Sequence, residues 1–299
     1  MLPALCLALA FGEGGLPLED PVRSRVTVGL AGESAAEVNG APAQALDERS
    51  AQARGTLLFG GSLQPDRAFP LVQPFLTFEA RAARAELPWT SDSHALLRAG
   101  AGAGATLGSQ GGELYVVTAA LRWDGDLTGA GAGALRGLGL GLGTLRLSER
   151  VRMLYGVVFG YAFGKGLLLP ALGLRWQMAP DWTLAVLVPF EARIEWQAAR
   201  DLRLGLLAGL AGDRAEIAND GAFPGSSGAL ALGTRRFQLG LLARLRAASD
   251  IAIEAMAGVR SEGRIFLDDG DQRPLDASLG VSGFALLQVS LAFGSGLAR

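Results

Sequence analysis

Few residues in this chain have the types and spacing that chemistry needs, and each has a plainer reading. His94 is the only histidine and stands in Ser91-Asp-Ser-His94. A serine hydrolase needs an imidazole within reach of its nucleophile and a third group to orient it. The chain has no Gly-x-Ser-x-Gly turn, so His94 reads as a loop-edge residue and no catalytic residue is assigned. Asp268-Asp-Gly-Asp271 has acidic spacing suited to Ca2+ but lacks the rest of an EF-hand loop, and reads as a solvated loop. Gly100-x-Gly102-x-Gly104 and Gly137-x-Gly139-x-Gly141-x-Gly143 lack the lysine and following helix of a phosphate loop. Both read as small residues facing a lumen. Neither a metal nor a cofactor is expected.

The elements that would position such residues are strands. From Val151 to Phe163 every odd position is apolar: Val151, Met153, Tyr155, Val157, Phe159, Tyr161 and Phe163. The even positions are small or apolar apart from Arg152. Period two places the odd side chains on one face of a strand. A strand that is apolar on one face and small or charged on the other suits a transmembrane barrel, with lipid outside and a lumen inside. The pattern recurs. Tyr115, Val117, Ala119, Leu121 and Trp123 form an outward row, with Thr118 and Arg122 opposite. Tyr115 and Trp123 span roughly 20 Å of membrane normal, the spacing of two interfacial aromatic girdles. Further outward rows are Leu168 to Trp176, Trp182 to Val188, Phe190 to Trp196, Leu202 to Leu210, Phe237 to Leu245 and Ile251 to Val259. The interfacial aromatics are Tyr115, Trp123, Tyr155, Tyr161, Trp176, Trp182, Trp196 and Phe293.

None of these rows carries a charge. The opposite faces carry nine arginines (Arg122, Arg152, Arg175, Arg193, Arg203, Arg236, Arg244, Arg246, Arg260) against Glu191, Glu195 and Glu254. Two readings of such a lumen stay open: a packed interior of Arg–Glu networks, or a narrow pore that prefers a small anionic solute.

Trp176-Gln-Met-Ala-Pro-Asp-Trp182, Trp196-Gln-Ala-Ala-Arg-Asp-Leu202 and Leu245-Arg-Ala-Ala-Ser-Asp-Ile251 are three copies of one hairpin. Outward residues six apart imply a short odd loop of about three residues. These turns, with Ala179, Ala199 and Ala248, are expected on the periplasmic side. Asp213 to Ser227 and Ser261 to Pro274, with Asp220 and Asp269, are expected as long outer loops. The last strand, Asp276 to Phe293, alternates Leu287, Val289, Leu291 and Phe293 with polar or small residues. It resembles the signal read by the barrel-assembly machinery, although six residues follow the aromatic.

The N-terminal third is less regular. Val22 to Leu30 alternates, Thr56 to Phe59 is a weak strand, and Phe75 to Leu87 suits a strand or a short amphipathic helix. Cys6, the only cysteine, falls in an apolar run from Leu2 that ends in Ala8-Leu9-Ala10, an A-x-A-like cleavage site. Residues 1–10 read as a signal peptide without its basic start, leaving a mature chain with no cysteine for disulfides or thiolate metal sites.

Composition agrees. The chain is 49% hydrophobic, yet no charge-free apolar run is long enough for a membrane helix. Its 43 glycines favour sheet and hairpins over helices. A net charge of −2 shows no nucleic-acid footprint.

The segments Leu169-Pro-Ala-Leu-Gly-Leu-Arg-Trp176, Ala179-Pro-Asp-Trp182, Leu187-Val-Pro189 and Arg235-Arg-Phe-Gln-Leu-Gly240 resemble a bacterial domain-of-unknown-function family of predicted outer-membrane barrels. The resemblance spans Leu138 to Phe293. It implies a fold and a compartment, the outer membrane of a Gram-negative bacterium, and no catalytic residue.

The expected architecture is all-β, a single antiparallel up-and-down transmembrane barrel over residues 22–293, with ~12 strands and 10 to 14 admissible. The expected role is passive transport or ligand binding in contact with outer-membrane lipid. The alternatives are a lipid-modifying outer-membrane enzyme, which needs His94 and a serine together at a girdle, and a soluble periplasmic barrel, which needs more polar outer faces.

Overall fold

The protein is seen in a computed structural model that describes residues 23–294, apart from 40, 61, 64–68, 70, 88, 90–92, 129–132, 163–164, 189, 213, 220–222, 224–228 and 270–273. The expected leader, Cys6, Val22, Phe163, Asp220, Asp271 and the side chain of Tyr161 lie outside the described part. The chain forms a closed antiparallel barrel of 14 strands, the upper end of the expected range. They are β1 Ser24–Val38, β2 Ala41–Leu58, β3 Leu71–Glu86, β4 Ser93–Gly108, β5 Leu114–Asp126, β6 Gly133–Arg146 and β7 Val151–Ala162. There follow β8 Lys165–Ala179, β9 Trp182–Val188, β10 Glu191–Ala199 and β11 Leu202–Ala211, which Arg214–Ala218 continues. The last are β12 Ala229–Arg246, β13 Ile251–Arg260 with Gly263–Asp268, and β14 Leu275–Leu279 with Ser282–Phe293. Each strand pairs with the next, and β1 pairs with β14 from Ser24–Phe293 to Glu33–Phe284, which closes the sheet.

The larger count comes from the N-terminal third. Thr56–Leu58 is the end of an 18-residue strand, and Phe75–Glu86 lies in a strand, not a helix, with Leu87 just beyond its end. Alanine, glutamine and arginine in β2 gave weak β signals, but neighbours on both sides supply the ladder.

Alternation decides what each strand shows to the outside. Val117, Leu121, Val157, Phe159, Leu168, Leu172, Leu206, Leu239, Leu241 and Leu287 are exposed on the outer wall. The residues between them, such as Val116, Leu154, Val158, Leu207, Leu242 and Leu286, are buried inside. Two face assignments differ from expectation. Phe190, expected outward, turns into the lumen and packs on Leu138, Leu140, Val158 and Ala171. The Gly137–Gly143 glycines face outward, because Leu138, Leu140 and Leu142 hold the inner face. A Cβ on Gly143 would lie 2.8 Å from the Tyr155 ring, so the aromatic covers that glycine. The Gly100–Gly104 series does face the lumen, and a Cβ on Gly104 would sit 2.4 Å from the Val117 carbonyl and 2.5 Å from the Phe75 ring.

Val157 is 47% exposed at the middle of an outward row. If that row faces lipid, Val157→Arg is expected to destabilise the vesicle-inserted barrel by about 2–4 kcal/mol. Urea titration in vesicles checks this, and a loss below about 0.5 kcal/mol would remove Val157 from the lipid face.

The hairpin repeat is present four times. Gln177 pairs with Thr183, Gln197 with Arg203, Arg246 with Ala252, and, unforeseen, Arg146 with Arg152, each pair six residues apart. In the first two the turn is the two residues Pro180-Asp181 or Arg200-Asp201 with a bulge before it, not a simple three-residue loop. These turns lie at the end of the barrel that carries Ser24 and Phe293, the near end. Trp182 and Trp196 stack there with ring centroids 6.1 Å apart. Tyr115, Tyr155 and Trp176 lie toward the same end, whereas Trp123 lies near the opposite, far end of β5. The two expected long loops are also at the far end. They are shorter than expected, because Arg214–Ala218 and Gly263–Asp268 extend the wall instead.

Candidate functional site

The lumen holds the candidate site, and most of its charge is paired. Arg193 is buried with Nη2 3.0 Å from Glu191 and Nη1 3.4 Å from Glu195. Arg203 donates from Nε to Gln197 Oε1 at 2.9 Å. Arg244 meets Glu254 at 2.6 Å, and Gln288 joins Glu254 to Arg54. Arg236 and Arg260 both hydrogen-bond to Glu33, and the Ser282 hydroxyl donates to the same carboxylate at 2.6 Å. Arg260 also lies over the Phe284 ring, 5.1 Å from its centroid. Arg152 and Arg175 face each other in register at the near rim, and Arg246 is exposed at that same end.

Sequence reading missed the second half of this network: Glu33, Glu48, Glu79, Arg81, Arg98, Asp124, Arg136 and Glu216. Asp124 sits two residues from Arg122, on the same face, and that spacing was legible. The others stand in strands whose faces were not assigned. Arg122 and Arg136 are each 1% exposed and oppose each other in register. Asp124 lies between them, 2.8 Å from Arg122 Nε and 3.3 Å from Arg136 Nη1, and it also accepts from Arg98 at 2.6 Å. Like charges facing across strands are unfavourable alone, so Asp124 is what allows the pair.

Among the described residues, the far end of the lumen is packed with apolar side chains. Val38, Leu46, Leu87, Ile217, Leu230, Leu232, Ile265, Leu267 and Leu279 form one buried apolar cluster drawn from β1–β3 and β11–β14. Above it the loop residues Trp89 and Phe223 meet edge to face, 6.2 Å apart. Glu216 beside Ile217 reaches across the lumen to Arg136 Nη2 at 3.2 Å, so β11 leans inward over the opening. His94 belongs to this end. It is not at a loop edge but 3% exposed, with Nδ1 2.5 Å from Asp126 Oδ2. It faces the lumen opposite Ala85 in β3, away from the outer wall.

The wall is low at one place. The ladder between β8 and β9 stops at Leu172–Val188, while that between β8 and β7 runs on to Lys165–Ala162. On the other side β10 pairs with β11 up to Glu191–Gly209, with one further bond from Leu210 N–H to Phe190 O at 2.8 Å, while β11 continues against β12 to Ala218–Ala229. Between these taller strands the β9–β10 hairpin leaves a notch. Its tip is a tight turn in which Phe190 N–H donates to Leu187 O at 2.7 Å. β9 has only 7 residues, fewer than the ~9–11 a tilted strand needs to span a membrane. Behind the notch lies the second apolar cluster, Leu138, Leu140, Leu142, Val158, Ala171 and Phe190, with Leu169 and Leu187 packed on it.

Among the described residues no group of His, Cys, Asp and Glu is placed to hold a metal ion. Residues 138–271 match the model of a domain of unknown function, DUF6268. The DUF6268 match begins in β6 and ends in the loop after β13, so it takes in the notch, its apolar backing, Glu216 and the repeated hairpins from Arg146 onward. No curated protein matches the chain. Among solved structures, the TodX monoaromatic hydrocarbon channel (a deltaS2 mutant) is similar at a TM-score of 0.51 and 10% identity over 91% of each chain. The Pseudomonas putida toluene transporter TodX gives 0.49 and 11% over 99% of this chain and 94% of that one. The COG4313 outer membrane channel from Pseudomonas putida F1 gives 0.44 and 14% over 91% and 96%. The fold around the DUF6268 segment is thus that of an outer-membrane-type barrel.

Proposed function

We propose that this is an outer-membrane barrel that passively admits small apolar solutes sideways, through the wall, rather than along its axis. The observation that carries the reading is the pairing of a far end packed with apolar side chains with a wall notch that is itself backed by apolar side chains. A hairpin too short for the hydrocarbon layer ends inside it, so a solute dissolved in lipid meets Phe190 and Leu187 without crossing water. The uncharged outward rows support residence in the membrane, and the likeness of the fold to TodX, a monoaromatic hydrocarbon channel, supports the solute class.

Toluene uptake by cells carrying the barrel in their outer membrane should exceed uptake by cells without it. Leu187→Glu should abolish that difference while leaving the amount of heat-modifiable folded protein unchanged, because it puts a charge in the doorway. Equal uptake with and without the barrel would defeat the transport reading. Uptake indifferent to Leu187→Glu would defeat the lateral route alone.

A second reading, a small anionic solute held in the lumen, is favoured by one observation. Arg122 is buried, and its Nη1 and Nη2 have no hydrogen-bond partner among the described residues. Buried guanidinium donors left unmade are costly, and an anion would satisfy them. Loss of an anion-induced rise in thermal stability in Arg122→Gln is the expected result, and an unchanged rise would count against this site.

A further inference from the structure

The outer wall is uncharged over most of its height, but β2 and β3 break the rule together. Arg49 of β2 stands in register with Arg84 of β3, and one outward position further toward the far end Asp47 faces Glu86. Arg49 has 82% of its side chain exposed, with Nη2 3.7 Å from Asp47 Oδ2, and Arg84 is exposed beside it, so the one carboxylate faces two cations. Both close the outward apolar rows that begin at Leu57 on β2 and Leu76 on β3, so they lie toward the far boundary of the lipid-facing band. Like charges directly opposite each other on neighbouring strands are destabilising. An arginine facing lipid is tolerated only near that boundary. Two guanidiniums in register there are stabilised by an anion that bridges them, and phosphate oxygens suit the guanidinium fork.

Below the arginines the wall recedes. Ala51, Ala82, Ala285 and Gly32 face outward where other strands present leucine or phenylalanine, and Leu30, 65% exposed, stands among them. They line an open groove of about 1010 Å3 that Arg49 and Arg84 also border. An apolar channel headed by two cations has the polarity of one lipid molecule, with its acyl chain in the groove and its anionic head above. Glu86, beyond the arginines, suits hydroxyl or ammonium donors on the rest of that head, while Asp47 is held by Arg49.

We propose that the groove under Arg49 and Arg84 binds a phosphate-headed lipid of the surrounding leaflet. The inference rests on the reading that this wall faces a membrane, and is independent of what passes through the lumen.

The test uses the full barrel in neutral detergent, with native mass spectrometry and thermal unfolding as readouts. Dioleoyl phosphatidic acid should give a one-to-one adduct and raise the unfolding midpoint. The corresponding diacylglycerol and inorganic phosphate should do neither. Arg49→Gln with Arg84→Gln should weaken the adduct about tenfold or more, the loss expected for charge-assisted hydrogen bonds, while leaving the lipid-free midpoint no lower. Ala82→Leu should weaken it with both arginines intact, by filling the groove. Equal adducts in wild type and the double variant would overturn the site. So would equal binding of diacylglycerol, a stability rise with inorganic phosphate alone, or a dimer that forms on this face in place of an adduct. Insertion into phosphatidylcholine vesicles, read by heat-modifiable migration, is scored separately. Failure to insert defeats the membrane reading, whereas insertion without a phosphatidic acid adduct defeats only the lipid site.

Discussion

Glu33→Ala is expected to cost the barrel about 3–5 kcal/mol, the range found when one partner of a buried ion pair is removed. Glu33 is 7% exposed, and its carboxylate is the shared acceptor for Arg236, Arg260 and the Ser282 hydroxyl. Without it, two guanidiniums remain in a low-dielectric wall with their mutual repulsion uncompensated. The arrangement also ties β1 to β12, β13 and β14, across the seam where the sheet closes. The loss should therefore appear as a lower urea midpoint of the heat-modifiable form, with slower closure during refolding into vesicles. Replacing Glu33, Arg236 and Arg260 together by apolar residues of similar volume should recover much of the loss, since apolar replacement of a whole buried ionic group is often near neutral. Arg246→Ala, at an exposed end position, should stay within about 0.5 kcal/mol. A Glu33→Ala loss under about 1 kcal/mol would mean that water, not Glu33, carries these arginines.

Opening the far mouth should have the second large effect. Ile217 and Leu267 are 1% and 0% exposed in the cluster packed there. Ile217→Ala with Leu267→Ala should lower stability by about 2–5 kcal/mol for each site. The same double variant should convert a silent barrel into one that conducts in planar bilayers. An ion entering through the gap next meets Arg122, Arg136 and Arg98, then Arg236 and Arg260, so the reversal potential in a salt gradient should show anion preference. Cation preference would show that the paired carboxylates, Asp124, Glu216 and Glu33, set the field instead. A double variant that is destabilised yet still silent would show that the axial route is closed elsewhere as well.

The fold was legible where chemistry alternates strictly. The rows from Tyr115 to Trp123 and from Phe237 to Leu245 read as strands with defined faces, and they lie as read. The Gly137–Gly143 stretch alternates equally well, but glycine and leucine are both uncharged. Nothing local says which side is lipid, so the face was inverted. Phe190 was misread because periodicity was carried through a tight turn, which reverses the chain and frees the ring to turn inward. The lumen was half legible. The arginines stood out, but most of their acidic partners come from distant strands. Glu33 meets Arg236 across 203 positions and Glu216 meets Arg136 across 80, and pairings at that range depend on barrel closure and on β11 leaning inward, which spacing does not encode. The notch was invisible for a related reason. It is a difference in height between neighbouring strands, and no single strand carries that property.

That low stretch of wall has a consequence for self-association. A closed sheet has no edges, and the segment Lys165–Ala171 restores one. Gln177 donates its N–H to Arg150 O on the β7 side, and the β7–β8 register runs without a break. By alternation, N–H groups of even-numbered β8 residues point to the other side, toward the notch. One of those even positions is Pro170, which has no N–H to offer. An intruding strand would find a missing rung in the middle of its ladder, and an unsatisfied carbonyl is costly where lipid excludes water. Proline on an exposed edge is a recognised guard against strand addition, so the barrel can keep its wall open at this point without inviting another chain to complete it.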